Sequence, residues 1–360
     1  MNNIAGIQEK LRARGLDGLL ITDEKNQRYA SGFSFTDGAV LVGLDRAWLI
    51  TDSRYIEAAE KAAGDVLTVQ LYNRELPLRE LLRRDIEEAG IRHLAAEDGK
   101  LSHRDFLEYE KALGMELLSG GGLLQELRAS KNREELQYMQ QAQDIAELAL
   151  EDVLHIIRPG MTERQVMAEL VYSMLRHGSE GNSFDPIVVT GAKTSMPHGV
   201  PGDEVIQAGD FVTMDFGCIK GGYCSDMTRT VAVGRATEEM KNVYALVLKA
   251  QLAGIAVARA GIPGREIDAA ARKVIKDGGY GEYFGHGFGH SLGLDIHEAP
   301  SANPGGETLM PEGAVCSAEP GIYLPGRFGV RIEDVMVLEK GGCRLLTKAK
   351  KELIILQPQG

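Results

Sequence analysis

Four carboxylates interrupt stretches that otherwise read as buried β-strands, and any fold of this chain must accommodate them. Asp215 stands between Val212-Thr213-Met214 and Phe216, and Asp226 lies on the next predicted strand, in Tyr223-Cys224-Ser225-Asp226-Met227-Thr228. The segment Ile219 to Gly222 between them is short enough for a hairpin, which lets both side chains face one side. Glu319 ends the run Val315-Cys316-Ser317-Ala318, and Glu333 sits in Gly329-Val330-Arg331-Ile332-Glu333, with the turn signal Pro325-Gly326 between them. Two hairpins each present two acids. Burying a carboxylate costs several kcal/mol unless it is paired or holds a cation. Arg229 or Arg331 satisfies any one of them, but for four acids the arginine supply is short, which points to a metal site.

The histidines narrow the chemistry. Of eight, four fall between residues 198 and 297: His198 in Met196-Pro197-His198-Gly199, His286 and His290 in the glycine-rich run Gly285 to Gly293, and His297 shortly after. Glycines on either side let backbones approach and leave room beside each imidazole. His93, His103, His155 and His177 read as ordinary core or surface residues. Four carboxylates with imidazole suit two divalent ions, and an oxygen-rich set without thiolate favours manganese, cobalt or zinc over copper or an iron–sulfur cluster. Two such ions lower the pKa of a shared water and clamp a tetrahedral intermediate, as in hydrolases.

Length and pattern divide the chain. At 360 residues it is too long for one ordinary core. Residues 1–124 alternate helix and strand patterns, with strands at Leu19 to Thr22, Val40 to Val42 and Trp48 to Thr51 and a helix at Ile56 to Ala63. Ser119-Gly120-Gly121-Gly122 is the best linker candidate. Residues 125–360 open on Asn132 and Glu135, spaced as a capping box, then on Thr162 and Gln165. Strands follow at Ile187 to Thr190, Phe211 to Cys218 and Tyr223 to Val233. Helices over about 237–260 and 265–277 precede strands at about 313–323, 329–338 and 352–356. The order helix-helix-strands occurs twice.

The N-terminal segment carries Ile4, Ile7 and Leu11 at helical spacing among charges, so it reads as an amphipathic helix and not a signal peptide. No run of eighteen apolar residues predicts a membrane span. Cys218, Cys224, Cys316 and Cys343 form no C-x-x-C pair and read as free thiols of a reducing, cytoplasmic compartment. A net charge of −12 gives no electrostatic footprint for nucleic acid or an anionic membrane.

The motifs, taken in order, resemble the pita-bread metallopeptidases and, within them, the Xaa-Pro peptidases: aminopeptidase P and prolidase. The likeness runs through Ser183-Phe184-Asp185-Pro186-Ile187-Val188, Pro197-His198-Gly199, Met214-Asp215-Phe216-Gly217, Cys224 to Thr230, the His286 block, Ala318 to Tyr323 and Val330 to Asp334. Asn26 to Phe33 and Leu49 to Tyr55 look like the creatinase-type N-terminal domain of that family. The resemblance implies an α+β chain: a pita-bread (creatinase/aminopeptidase) fold preceded by a smaller α/β domain, acting as a homodimer.

Carried over by motif, Asp215 binds one ion, Asp226 and Glu333 bridge both, and His290 and Glu319 complete the second. Manganese comes first, before cobalt or zinc. Glu319 resembles the general base and proton shuttle, and His198 and His297 the pair that steadies substrate and tetrahedral intermediate. His286 joins His198 and His297 as a substrate-binding residue and shapes the pocket, and Arg331 orients a carboxylate ligand from behind.

The implied reaction is release of an N-terminal residue that precedes proline. Phe288 and Ser291 depart from the family pattern, which bears on pocket shape. Several prolidases carry an Arg directly after His-Glu-x-Pro, but here His297-Glu298-Ala299-Pro300 is followed by Ser301. That tilts the reading from an Xaa-Pro dipeptidase toward an aminopeptidase on longer peptides. The same motifs also suit a methionine aminopeptidase, which the full N-terminal domain argues against, and a metal-free binding relative, which the intact ligand set argues against.

Overall fold

Two capping boxes start the helices of the larger part of the chain. The Asn132 side chain accepts from the N–H groups of Glu134 and Glu135 while the Glu135 carboxylate accepts from the Asn132 N–H, and helix Arg133–Leu154 follows. Thr162 and Gln165 do the same for helix Glu163–Arg176. Each box pairs donors that a helix start otherwise leaves bare. The computed structural model describes residues 2–357, which divide between Arg128 and Ala129 into two compact units.

In the first unit, helix Ile4–Arg14 buries Ile4, Ile7 and Leu11. A six-stranded sheet runs in the order Thr68–Leu71, Ala47–Thr51, Gly38–Gly43, Gly18–Ile21, Leu94–Ala96, Leu118–Ser119. The glycines after Ser119 are not a link between units. Gly120 donates to the Ala96 carbonyl, and a Cβ there would lie 2.6 Å from that oxygen, so glycine is what the close approach requires.

The second unit repeats helix-helix-sheet. Helices Arg133–Leu154 and Glu163–Arg176 cover a sheet of Ile355–Leu356, Met227–Val233, Phe211–Phe216 and Ile187–Thr190. Ala146, Leu150 and Leu170 pack there on Met214, Phe216 and Val231. Helices Glu238–Val257 and Gly264–Asp277 belong to a second core, in which Val247, Ile267 and Phe288 meet Cys316 and Met336. Its sheet holds Glu298–Ala302, Gly289–Ser291, Val315–Ala318, Asp334–Glu339 and Gly342–Leu345. Among the described residues no helix is long and apolar enough to cross a membrane.

The strand reading of the acids needs correction. Only Asp215 lies on a strand; Asp226, Glu319 and Glu333 fall in short breaks before Met227, after Ala318 and before Asp334. Val315–Ala318 pairs with Asp334–Glu339, and the ribbon Gly321–Leu324/Phe328–Arg331 is an excursion between them. The shift has a physical reason. A residue inside a ladder must project to one face or the other. Leaving the ladder frees the side chain, while the Glu319 N–H finds the Phe288 carbonyl at 2.8 Å and the Glu333 N–H the Thr228 carbonyl at 3.1 Å. The expected strand at 352–356 shortens to Ile355–Leu356.

Candidate metal centre

Five segments of the second unit meet at one cavity. Strand Phe211–Phe216 carries Asp215, the break after Cys224 carries Asp226, strand Gly289–Ser291 carries His290, and the breaks after Ala318 and Arg331 carry Glu319 and Glu333. The cavity, about 480 Å³, is lined by all five and also by His198, His286, His297 and Arg331. Every site residue singled out in the sequence shares it.

Ligand-type atoms of Asp226, His290 and Glu333 lie within 4.8 Å of one another. His290 Nε2 is 3.5 Å from Asp226 Oδ2 and 3.3 Å from Glu319 Oε1. Burial, then the charges of Asp215 and Glu319, push Asp226 well above the ordinary carboxylate range. Burial, then Asp226 and Glu319, do the same to Glu333, and burial raises Glu319. Burial lowers His286, His290 and His297, toward neutral imidazoles. The acids repel one another, and the lowered His290 does little to offset that repulsion.

Arginine relieves this only in part. Arg331 donates Nη2 to Asp215 (2.5 Å), Nη1 to Tyr323 Oη (2.9 Å) and the Pro197 carbonyl (3.2 Å), and Nε to Thr228 Oγ1 (3.1 Å). Arg229 turns away to Asp334. Among the described residues Asp226, Glu319 and Glu333 make no lysine or arginine ion pair. Asp215 Oδ1 and Glu333 Oε1 are buried and accept no hydrogen bond. An acceptor left so costs on the order of 1–3 kcal/mol, more when charged. Divalent cations are the partners that fit: several carboxylate oxygens with imidazole nitrogen, and no thiol, suit hard to borderline ions.

A pH dependence follows. Asp226 and Glu333 hold protons more tightly folded than unfolded, where carboxyls titrate near about 4. Their contribution to stability is full below that pH and is lost as pH rises through the raised native values. The chelated protein should melt at progressively lower temperature than the metal-loaded protein as pH goes from 5 to 8. Parallel melting curves would contradict the ligand cluster.

Sequence reasoning passed over several residues that organise the site. Tyr323 Oη bridges Arg331 and His286 Nε2 (2.9 Å). Thr228 Oγ1 joins Arg331 to Glu333 Oε2 (2.7 Å). Ser317 Oγ donates to Glu319 Oε1 and accepts from the His290 N–H. Tyr323 and Thr228 stand inside the motifs already quoted, two of the few polar side chains among buried strand residues, and that was the available signal. Phe288 and Ser291 are not among the described residues that line the cavity. Phe288 is fully buried against Gly254, where a Cβ would lie 2.4 Å from the ring, and Ser291 Oγ donates to the Pro300 carbonyl. Ser301 does line the cavity.

Residues 137–340 match the family described as Metallopeptidase family M24, and residues 4–130 match the Creatinase/Prolidase N-terminal domain. A structure titled Xaa-Pro dipeptidase from Bacillus anthracis is 41% identical and superposes with a TM-score of 0.94, covering 98% of this chain and 100% of that one. An X-Pro aminopeptidase from Thermotoga maritima is 34% identical with a TM-score of 0.92, covering 96% and 99%. A protein of Pyrococcus furiosus named Xaa-Pro dipeptidase is 35% identical over 94% of this chain and 95% of its own length.

Proposed function

The chain belongs to metallopeptidase family M24, and from that premise we propose that it hydrolyses the peptide bond between an N-terminal residue and a following proline. The observation that carries the reading is the grouping of Asp226, His290 and Glu333, extended by Asp215 and Glu319 in the same cavity. We assign these five as ligands of two divalent cations, manganese before cobalt or zinc. Such ions, when bound, supply Lewis acidity that polarises a carbonyl and readies water for attack at neutral pH.

The remaining work falls to side chains. Ser317 Oγ donates to Glu319 Oε1, and among the described residues nothing donates to Oε2, which is the atom left to exchange a proton. Glu319 lines the cavity, placed to take a proton from the attacking water and deliver it to the leaving nitrogen. In an Xaa-Pro bond that nitrogen is a tertiary amide, and it departs as a secondary amine only after gaining a proton. His198 and His297 are exposed at the mouth and make no hydrogen bond within the described protein. They are free to donate to the carbonyl oxygen as it gains negative charge. Phe184, Ile187 and Ile296 give the cavity an apolar wall suited to a pyrrolidine ring.

Relatives carry both the dipeptidase and the aminopeptidase name. Among the described residues Arg331 is the one arginine or lysine lining the cavity, and each of its nitrogens is engaged. A dipeptide's free carboxylate has no arginine to grip, which favours the aminopeptidase. The similar proteins named Xaa-Pro dipeptidase favour the second reading. The test compares Xaa-Pro with Xaa-Pro-Yaa at saturating Mn²⁺ and after chelation. The expected result is release of the first residue from the longer peptide with the higher kcat/KM, abolished by chelation and restored by Mn²⁺. Turnover of dipeptides alone would select the dipeptidase, and cleavage of Met-Ala without Xaa-Pro would overturn both.

A further inference from the structure

His286 sits in a segment with no regular structure between Tyr283 and Gly289, flanked by Gly285 and Gly287. Such a stretch has little conformational preference of its own. It is nevertheless held at alternate residues by one pair on helix Gly264–Asp277. Asp268, 1% exposed, accepts the Phe288 N–H at 2.9 Å. Arg272 grips both Asp268 oxygens, Nε to Oδ2 at 2.7 Å and Nη2 to Oδ1 at 2.8 Å. The same guanidinium donates to the Phe284 carbonyl at 3.0 Å and the His286 carbonyl at 2.7 Å, and lies 4.2 Å from the centre of the Phe284 ring. That ring meets the His286 imidazole edge-on, with centroids 5.1 Å apart.

We propose that Asp268 and Arg272 are positioning residues that set the His286 imidazole against Tyr323, and through it tune turnover. The planar guanidinium is suited to this, because one fork can take a carboxylate bidentately while its outer N–H groups cap carbonyls. The other two histidine segments are anchored in a similar way. Glu163, fully buried, accepts the N–H groups of Thr190 and Gly202 and pairs with Lys193, on either side of His198. Glu298, next to His297, accepts the Asp295 N–H and pairs with the buried Lys131. A cation-paired carboxylate that takes backbone N–H accompanies each of His198, His286 and His297, whereas an ion pair serving its helix alone would not reach across to a loop.

The proposal rests on the reading of His286 as a substrate-side group, and the experiment separates the two. Arg272→Gln, His286→Ala and the double variant are compared in the Mn²⁺-loaded full chain for kcat and KM on an Xaa-Pro-Yaa peptide, with bound metal measured in each. Arg272→Gln is expected to lower kcat by roughly 10–100-fold, the range seen when outer partners of a site residue are removed, with KM and metal content little changed. In the His286→Ala background the same substitution should cost less than about threefold, the non-additivity of residues that act as a unit. Arg272→Lys should recover part of the loss.

Equal penalties in both backgrounds would overturn the proposal, as would an Arg272→Gln enzyme within about twofold of wild type. A silent His286→Ala would defeat the His286 reading, and with it the proposal if Arg272→Gln still loses activity. Should Arg272→Gln not fold, Asp268→Asn runs the same cycle. Amide exchange at 284–288 needs no substrate. Faster exchange there in the variants, with the rest of the helix protected as before, is expected, and unchanged protection would overturn the clamp.

Discussion

Asp226→Asn is expected to leave a folded protein with no useful peptidase activity and a chelated form more stable than wild type. Asparagine keeps the shape of the side chain but removes a negative charge and one ligand oxygen. Removing only an outer partner of a metal site costs up to about 100-fold; losing a group that faces His290 and Glu333 directly should cost more, with weakened Mn²⁺ binding. The stability change runs the other way. In the metal-free chain Asp226 is pushed up by burial and by Asp215 and Glu319, so holding an acid at this place at neutral pH costs stability, which asparagine relieves. Each kcal/mol relieved should raise the chelated melting temperature of the unit Ala129–Gly360 by roughly 2–4 °C. Activity within tenfold of wild type would place the ligands elsewhere. A chelated variant that melts below wild type would mean that the acids do not repel as argued.

Much of this centre is legible in the chain because its signals are local. The capping boxes at Asn132 and Thr162 need only residues three apart, and both form. The acids stand out because apolar neighbours surround them, and the fold gathers them with His290 at one cavity. What escapes is set by partners distant in sequence. That Glu319 and Glu333 leave their strands depends on the Phe288 and Thr228 carbonyls being there to receive their N–H groups. Asp268 and Arg272 are spaced four apart and look like a routine surface pair on a helix; only the fold brings the 284–288 segment onto them. Phe288 looks like a pocket residue beside His290, yet its ring points into the core because Gly254 leaves room for it.

Arg229→Met should be the most destabilising single change away from the ligands, at about 3–5 kcal/mol, the cost of breaking a buried charge pair by removing one partner. The Arg229 side chain is 2% exposed and, among the described residues, makes no ion pair or hydrogen bond with the cavity carboxylate groups. It donates to Asp334 Oδ1 (2.8 Å) and to the carbonyls of Thr228, Glu333, Ala349 and Lys350. One guanidinium thus ties strand Met227–Val233, the Glu333 break and the 349–350 segment together. Methionine fills similar space but strands three carbonyls and a carboxylate, while the Thr228 carbonyl keeps the Glu333 N–H. Lys351 also reaches Asp334, so that charge is not wholly abandoned and the lower end of the range applies. Because the Glu333 carbonyl is one of the three, weaker Mn²⁺ binding should accompany the lost stability, although no ligand atom is altered. Denaturant titration of the metal-loaded variant reads the first effect and competition with a chelator the second. A loss below about 1 kcal/mol would show that the surrounding carbonyls find water instead. Intact Mn²⁺ affinity despite the expected loss would show that the Glu333 break is held by the Thr228 contact alone.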